Sequence, residues 1–263
     1  MKFTVPPAKR RIAVCADDFG LTLAACRSIL ALGAAGALTA TSCAVDGPAL
    51  AAHLDALKAL RPGLAVGLHV NLTENPCFAG SQSLPRWIAA TWLRRRLDVT
   101  ALQAELRRQL DRFETLFGTP PDFIDGHEHV HQFPVLRDLL LAEVHARYGD
   151  RVRVRCTWPS HFRGIKAAII ALLGGAALRR GLRVSGLRGN RDFAGVYDLK
   201  AGSGYAARMD EWLRTLDDDG LIMCHPEWPG ETPNPARAHE HAFFSSADWP
   251  RLLRSWNVAL ARP

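Results

Sequence analysis

Short apolar runs that end in acidic or imidazole residues recur along the chain, and stretches with helical spacing separate them. Arg11–Ala16 (RIAVCA) has the character of a buried strand and stops at Asp17-Asp18-Phe19-Gly20. Leu23–Leu32 predicts a helix, with Gly33 and Gly36 as stop signals. A second strand, Ala40–Val45 (ATSCAV), ends at Asp46-Gly47-Pro48. The helix Ala49–Leu60 is stopped by Arg61-Pro62-Gly63, and a third strand, Leu64–Leu68 (LAVGL), delivers His69. Strands alternating with helices in this way predict a parallel α/β protein.

Residues 75–100, with Pro76, Pro85, Trp87 and Trp92, read as a long loop or small insertion. From Thr100 to Phe117 the spacing of Leu102, Leu106, Leu110, Phe113 and Phe117 is helical. Asp122–Asp125 (DFID) predicts a short strand leading into Gly126-His127-Glu128-His129-Val130-His131. Val135–Arg147 reads as a helix, Arg151–Cys156 (RVRVRC) as an alternating strand, and Met209–Leu216 as a helix. Leu221–Cys224 (LIMC) is the last strand expected and delivers His225-Pro226-Glu227; a helix around Trp249–Leu260 closes the chain. The pattern assigns no organisation to the Gly/Arg-rich part of residues 158–204. No repeat or shift in composition marks a second domain, so residues 1–263 read as a single one.

Every group of Asp or His in this reading follows the end of a strand. The carboxyl ends of parallel strands converge on one face, in barrels and open sheets alike, so residues distant in sequence can share a site. Asp17 and Asp18 can divide two roles, metal ligand and base, although an Asp-rich turn before Gly20 is the simpler explanation of either alone. His69 and His225 are each ordinary strand-end histidines until joined to partners. The histidines at 127, 129 and 131 place three imidazoles on one face if the backbone is extended, and a His-x-His metal pair is expected there. The letters HExxH also fit His127, Glu128 and His131. That zinc-protease motif needs a continuous helix, which Gly126 before it and Pro134 after it forbid.

At 263 residues, 48% apolar and 22% charged, the chain is neither collagenous, disordered nor a disulfide knot. A net charge of +7 admits nucleic acid, an anionic membrane or an acidic substrate as partners. The runs Arg94-Arg95-Arg96, Arg107-Arg108 and Arg179-Arg180 fall mostly on predicted helices and read as solvated faces. No nucleic-acid fold signature accompanies them. The six cysteines form no CxxC pair, which points to a reducing compartment. The basic N-terminus precedes too short an apolar stretch for a signal peptide, so a cytoplasmic location is expected. Ala167–Leu178 is too short for a membrane span, and a buried or interface helix, with a homodimer as one outcome, fits it better.

Taken in order, ADDFG at 16–20, GLHVNLT at 67–73, IDGHEHVHQFP at 124–134 and MCHPE at 223–227 resemble the YdjC-like family of carbohydrate deacetylases. The resemblance implies an irregular, TIM-like (β/α) barrel related to the polysaccharide deacetylases. It implies hydrolysis of acetyl groups from N-acetylated sugars, with a divalent metal held by Asp18, His69 and His127. By the same resemblance Asp17 is the base and His225 assists the leaving group. Some members read DSHHHVH in the third motif, where Gly126 and Glu128 stand here. The resemblance suggests Mg²⁺, whereas two imidazoles and one carboxylate suit Zn²⁺ or another transition metal equally well. Residues 158–204 and 230–263, and the roles of His129 and His131, are outside it.

Three other readings compete. An Asp with two His can form the facial triad of an iron oxygenase, but that triad expects a His-x-Asp or His-x-Glu pair on an all-β scaffold. A metal-dependent phosphoesterase on a (β/α) barrel would suit the basic charge. A non-catalytic sugar- or nucleic-acid-binding protein could keep the metal site as a vestige.

Overall fold

The computed structural model describes residues 9–93, 97–200 and 204–263. The run Arg94-Arg95-Arg96 and the basic N-terminal residues 1–8 lie outside them. All strand pairings are parallel. In chain order the strands are β1 (Arg10–Phe19), β2 (Ala40–Cys43), β3 (Ala65–Val70), β4 (Phe123–Gly126), β5 (Arg153–Val154), β6 (Asp192–Ala194), β7 (Gly220–Cys224) and β8 (Val258–Leu260). Their spatial order is β5-β4-β3-β2-β1-β7-β6, with β8 beside the beginning of β1. The helices are α1 (Leu23–Ala34), α2 (Leu50–Leu60), α3 (Leu84–Trp92), α4 (Val99–Phe117), α5 (Leu136–Tyr148), α6 (Ile165–Ile170), α7 (Ala176–Ser185), α8 (Tyr205–Thr215), α9 (Pro235–Phe244) and α10 (Asp248–Ser255).

Between the outer strands β5 and β6 no ladder forms, and a side chain bridges the gap. Asn190 donates to the carbonyls of Cys156 and Asp192 and accepts from the Cys156 N–H, each at 2.8 Å. The sheet is therefore an irregular barrel with one seam held by an amide.

Period-two alternation decides what faces inward. Ala13, Cys15, Ala40, Ala65, Phe123, Phe193, Leu221 and Met223 pack together inside the sheet. The outer set, including Ile12, Val14, Val66, Leu68 and Ile222, packs with the helices in a larger core. The interior is narrow, which explains its small residues. Gly67 is an example: a Cβ there would lie 2.5 Å from the Phe123 ring.

Several expectations change. The C-terminal helix is shorter than its pattern: α10 ends at Ser255 and the next residues form β8, whose register is Arg10↔Val258 to Ile12↔Leu260. The region 75–100 contains α3, which starts with Pro85 in its first turn, where the missing N–H is harmless. The sequence pattern also missed α9. Ala167–Leu178 is not one helix: α6 and α7 are joined by a π-helical turn, Ala171–Gly175.

Candidate active site and metal centre

Odd-numbered residues, continued along each strand to its carboxyl end, bring the polar groups together. After Ala13 and Cys15 comes Asp17; after Ala65 and Gly67 comes His69; after Phe123 comes Asp125; after Leu221 and Met223 comes His225. Arg155, just past β5, adds a guanidinium with no exposed side-chain surface. Apolar alternation lower in the barrel thus aims the chemical groups at its mouth.

Asp18 is even-numbered and would face outward on a regular strand. Its backbone is left-handed (φ 70°), and the β1–β2 register shifts between Ala16 and Phe19. This bulge turns the second carboxylate into the site as well. A non-glycine residue there costs of order 1–3 kcal/mol, and Asp tolerates the conformation better than most.

Asp18 Oδ1 lies 3.1 Å from Nδ1 of His127 and 3.5 Å from Nε2 of His69. One ligand atom from each of Asp18, His69 and His127 falls within 4.8 Å of the others. His69 Nδ1 pairs with Asp125 Oδ1 at 2.6 Å, which orients the ring and directs Nε2 to the site. That Nε2 is buried and has no hydrogen-bond partner. Burial works to lower the His69 pKa, but Asp125, with Asp18 and Asp17, overrides it and raises the pKa to about 10. The same surplus of negative charge can be met by a divalent cation. An unpartnered imidazole nitrogen, a second imidazole and a carboxylate fit such an ion.

The histidine-rich segment is not extended. Residues His127–Gln132 form a 3₁₀-like turn with left-handed Glu128 (φ 51°) and His129 (φ 60°). Of the three imidazoles only His127 joins Asp18 and His69, so no His-x-His pair forms. His129 lines the adjoining cavity instead, and His131 is buried with Nε2 3.0 Å from the Arg155 carbonyl. The turn also excludes the helix that HExxH requires.

A second cluster of acids, Asp17 and Asp125 beside Cys15, lies beneath the first. Arg155 fills it: Nη1 and Nη2 each lie 2.6 Å from an Asp17 oxygen, Nη2 is 2.6 Å from Asp125 Oδ2, and the Cys15 thiol accepts at 3.0 Å. Ser42 donates to Asp17 at 3.0 Å. Burial alone would raise the Asp17 pKa; the Arg155 charge and its hydrogen bonds hold it well below the usual carboxylate range.

On the far side, Arg237 of α9 bridges Asp18 (3.0 Å) and Glu227 (3.1 Å). Glu240, also on α9, accepts from the Tyr197 hydroxyl at 2.5 Å and from the His225 backbone N–H. Burial lowers the His225 pKa; Asp18 and Asp17 pull it up, against Arg237. The sequence reading had no role for Asp125, Arg155, Arg237 or Glu240. A cavity of about 660 Å³ opens onto Asp17, Asp18, His69, His127 and His225.

A family model described as YdjC-like protein matches residues 11–255. The chain belongs to the YdjC-like family. Among curated proteins, this YdjC-like chain is 36% identical to a chitooligosaccharide deacetylase of Serratia marcescens over 146 residues, 53% of this chain and 57% of that protein. It is 35% identical to a chitooligosaccharide deacetylase of Escherichia fergusonii over 152 residues, 56% of this chain and 60% of that one. The chain thus spans somewhat over half the length of these relatives. A crystal structure from Enterococcus faecalis V583, described as a candidate cellobiose-phosphate cleavage protein, superposes with a TM-score of 0.71 at 20% identity, covering 97% of this chain and 98% of that one. A lactam utilization protein from Thermus thermophilus gives 0.51 at 15% identity, covering 96% and 100%. These structures share the fold of this YdjC-like chain.

Proposed function

We propose that this protein is a metal-dependent carbohydrate N-deacetylase that hydrolyses the acetamide of an N-acetylated sugar. The observation that carries the reading is the convergence of Asp18, His69 and His127 on one point beside Asp17 and His225, in a chain whose curated relatives are named for that activity. Asp18, His69 and His127 would hold the cation, Mg²⁺ by family resemblance or Zn²⁺ by the donor set, and a bound cation supplies acidified water and charge stabilisation at the acetyl oxygen.

The Arg155 guanidinium favours the ionised form of Asp17 and engages both its oxygens, which suits a proton acceptor of fixed orientation. Its basicity is low for the same reason, which fits a base acting on water already acidified. Burial holds the His225 pKa below its ordinary value, against the pull of Asp18 and Asp17. We assign His225 the delivery of a proton to the departing amine, a role supported by its opening onto the same cavity as Asp17 and Asp18. Among the described residues no helix is long and apolar enough to cross a membrane. A cytoplasmic site of action fits the six unpaired thiols.

The test is acetate release from a panel of N-acetylated sugars by metal-stripped protein with Mg²⁺, Zn²⁺, Mn²⁺ and Co²⁺ restored in turn. Acetate that depends on the added ion is expected. Phosphate release from model esters without acetate from any sugar would replace this reading by the phosphoesterase one.

A further inference from the structure

The excess positive charge of the chain is concentrated in one segment. Between Asp150 and Asp192 stand ten Lys or Arg and no Asp or Glu, which leaves the remainder of the chain at a net −3. Three of the ten are neutralised within the fold, where Arg153, Arg155 and Arg163 pair with Asp219, Asp17 and Asp192. Arg179, Arg180 and Arg183 are exposed on α7 and meet no carboxylate among the described residues.

The same segment is apolar on two faces. Ala167, Ala171, Leu178 and Leu182 turn inward and are buried. On the outer face Ile165, Ile169 and Leu172, spaced by four and three residues, are 75%, 52% and 69% exposed, with Phe162 (76%) before them and the exposed Val184 beyond. A helix packed on the surface of a core is ordinarily polar on its outer side, and one that is apolar all round is covered on both sides. Single exposed leucines need no explanation, but a contiguous row marks an interaction site.

The row is fixed in place. The Gln132 side chain donates to the Ile170 carbonyl at 2.8 Å. Gly174, at φ 154°, lets the π-helical turn approach the Gln132 carbonyl so closely that a Cβ would lie 2.1 Å from it. The apolar side chains therefore stand on an anchored element, which holds them out toward solvent.

Charge beside hydrocarbon selects the occupant. A second copy docking through a two-fold contact would bring Arg179, Arg180 and Arg183 toward their own images, with no acid in the segment to meet them. An anionic lipid surface accommodates both parts: acyl chains receive the Ile165–Leu172 row, and headgroup phosphates receive the guanidiniums. We infer that the α6–α7 segment is a peripheral docking surface for an anionic phospholipid membrane, lying in the plane of its interface. The contact is independent of the reaction at the metal centre.

The experiment is co-sedimentation of the full chain with vesicles of phosphatidylcholine, with and without about one-third phosphatidylglycerol. Each cation near an anionic surface contributes roughly fivefold, corresponding to about 1 kcal/mol. Binding to the mixed vesicles at least tenfold tighter than to phosphatidylcholine alone is expected. Two variants with unchanged melting temperature, Ile165→Ser/Leu172→Ser and Arg179→Gln/Arg180→Gln/Arg183→Gln, should each weaken binding to the mixed vesicles at least tenfold. Lys58→Gln/Arg254→Gln, which removes exposed cations from α2 and α10, should leave it within about twofold. An equal loss in that control reduces the effect to net charge and overturns the inference. Binding lost in the arginine variant but kept in the Ile165/Leu172 one assigns the arginines to an acidic partner and overturns it as well. So does the absence of sedimentation with either vesicle. A dimer in sedimentation velocity that Ile165→Ser/Leu172→Ser splits, without vesicle binding, assigns the row to a second copy instead.

Discussion

Arg155 and Asp125 meet at 2.6 Å with neither side chain exposed, and each holds a different functional group: Arg155 grips Asp17, and Asp125 grips His69. One buried ion pair therefore ties the proposed base to a metal ligand. Removing Arg155 takes the guanidinium from Asp17, and removing Asp125 takes the orienting partner from His69.

Arg155→Met leaves the buried Asp17 carboxylate without its guanidinium partner and is expected to destabilise the fold by about 3–5 kcal/mol. Arg155→Lys keeps the charge but loses the fork that engages both Asp17 oxygens, so it should fall between wild type and Met. Urea midpoints measure both, and a Met variant as stable as wild type would remove the pair from the stability account.

Asp125→Asn keeps the shape but weakens the carboxylate that orients His69. Loss of such an outer partner typically costs 10–100-fold in metal affinity. Titration calorimetry of the stripped protein with Zn²⁺ should show a loss in that range, and an unchanged Kd would contradict the orienting role.

Asp17→Asn and His225→Ala should each lower kcat by roughly 10²–10⁴-fold while the cation affinity stays within a few-fold. Near-normal turnover of Asp17→Asn would refute its assignment as base. A loss of cation binding in His225→Ala would place that residue among the ligands.

Stability should respond to pH with opposite signs at two carboxylates. Asp17 is depressed below its unfolded value of 3.8, so its contribution is present at neutral pH and is lost as the pH falls below that value. Glu240 is raised from 4.5 to about 7, with burial outweighing the Tyr197 and His225 hydrogen bonds. The folded state thus binds its proton more tightly, and its contribution decreases as the pH rises from 4.5 through 7. Relative to Glu240→Gln, the wild type should lose of order 3 kcal/mol across that window. Urea unfolding at a series of pH values measures the difference, and parallel curves would count against a protonated Glu240.

Gly174→Ala forces a side chain against the Gln132 carbonyl at a backbone angle that disfavours one. A loss of more than about 1 kcal/mol is expected, with faster proteolysis around residues 165–180. Equal stability would show that the π-helical turn can move away without penalty.

The strand ends carrying Asp17, His69, His127 and His225 were legible because runs such as LAVGL and LIMC are unambiguous and end in chemically capable residues. Arg155 was hidden by its own alternation. In RVRVRC the valines face the helices, and the arginine column reads as the solvent side of a strand; in a barrel that side is the interior. Asp125 ended a predicted strand but gave no sign of its partner 56 residues earlier. Arg237 and Glu240 come from α9, a helix with only weak apolar periodicity. The extended histidine segment failed because two consecutive left-handed residues, Glu128 and His129, follow from tertiary contacts and not from local preference.

The odd-numbered inward set makes the site a matter of parity. Deleting or inserting one residue within β1, β3, β4 or β7 would exchange the polar column for its greasy neighbours and turn Asp17, His69, Asp125 or His225 toward the helices. Change by two residues only slides the same column along the barrel axis. Length variation among descendants of this chain is therefore constrained to even steps inside the strands, with odd steps confined to the loops or absorbed by a bulge such as the one that brings in Asp18.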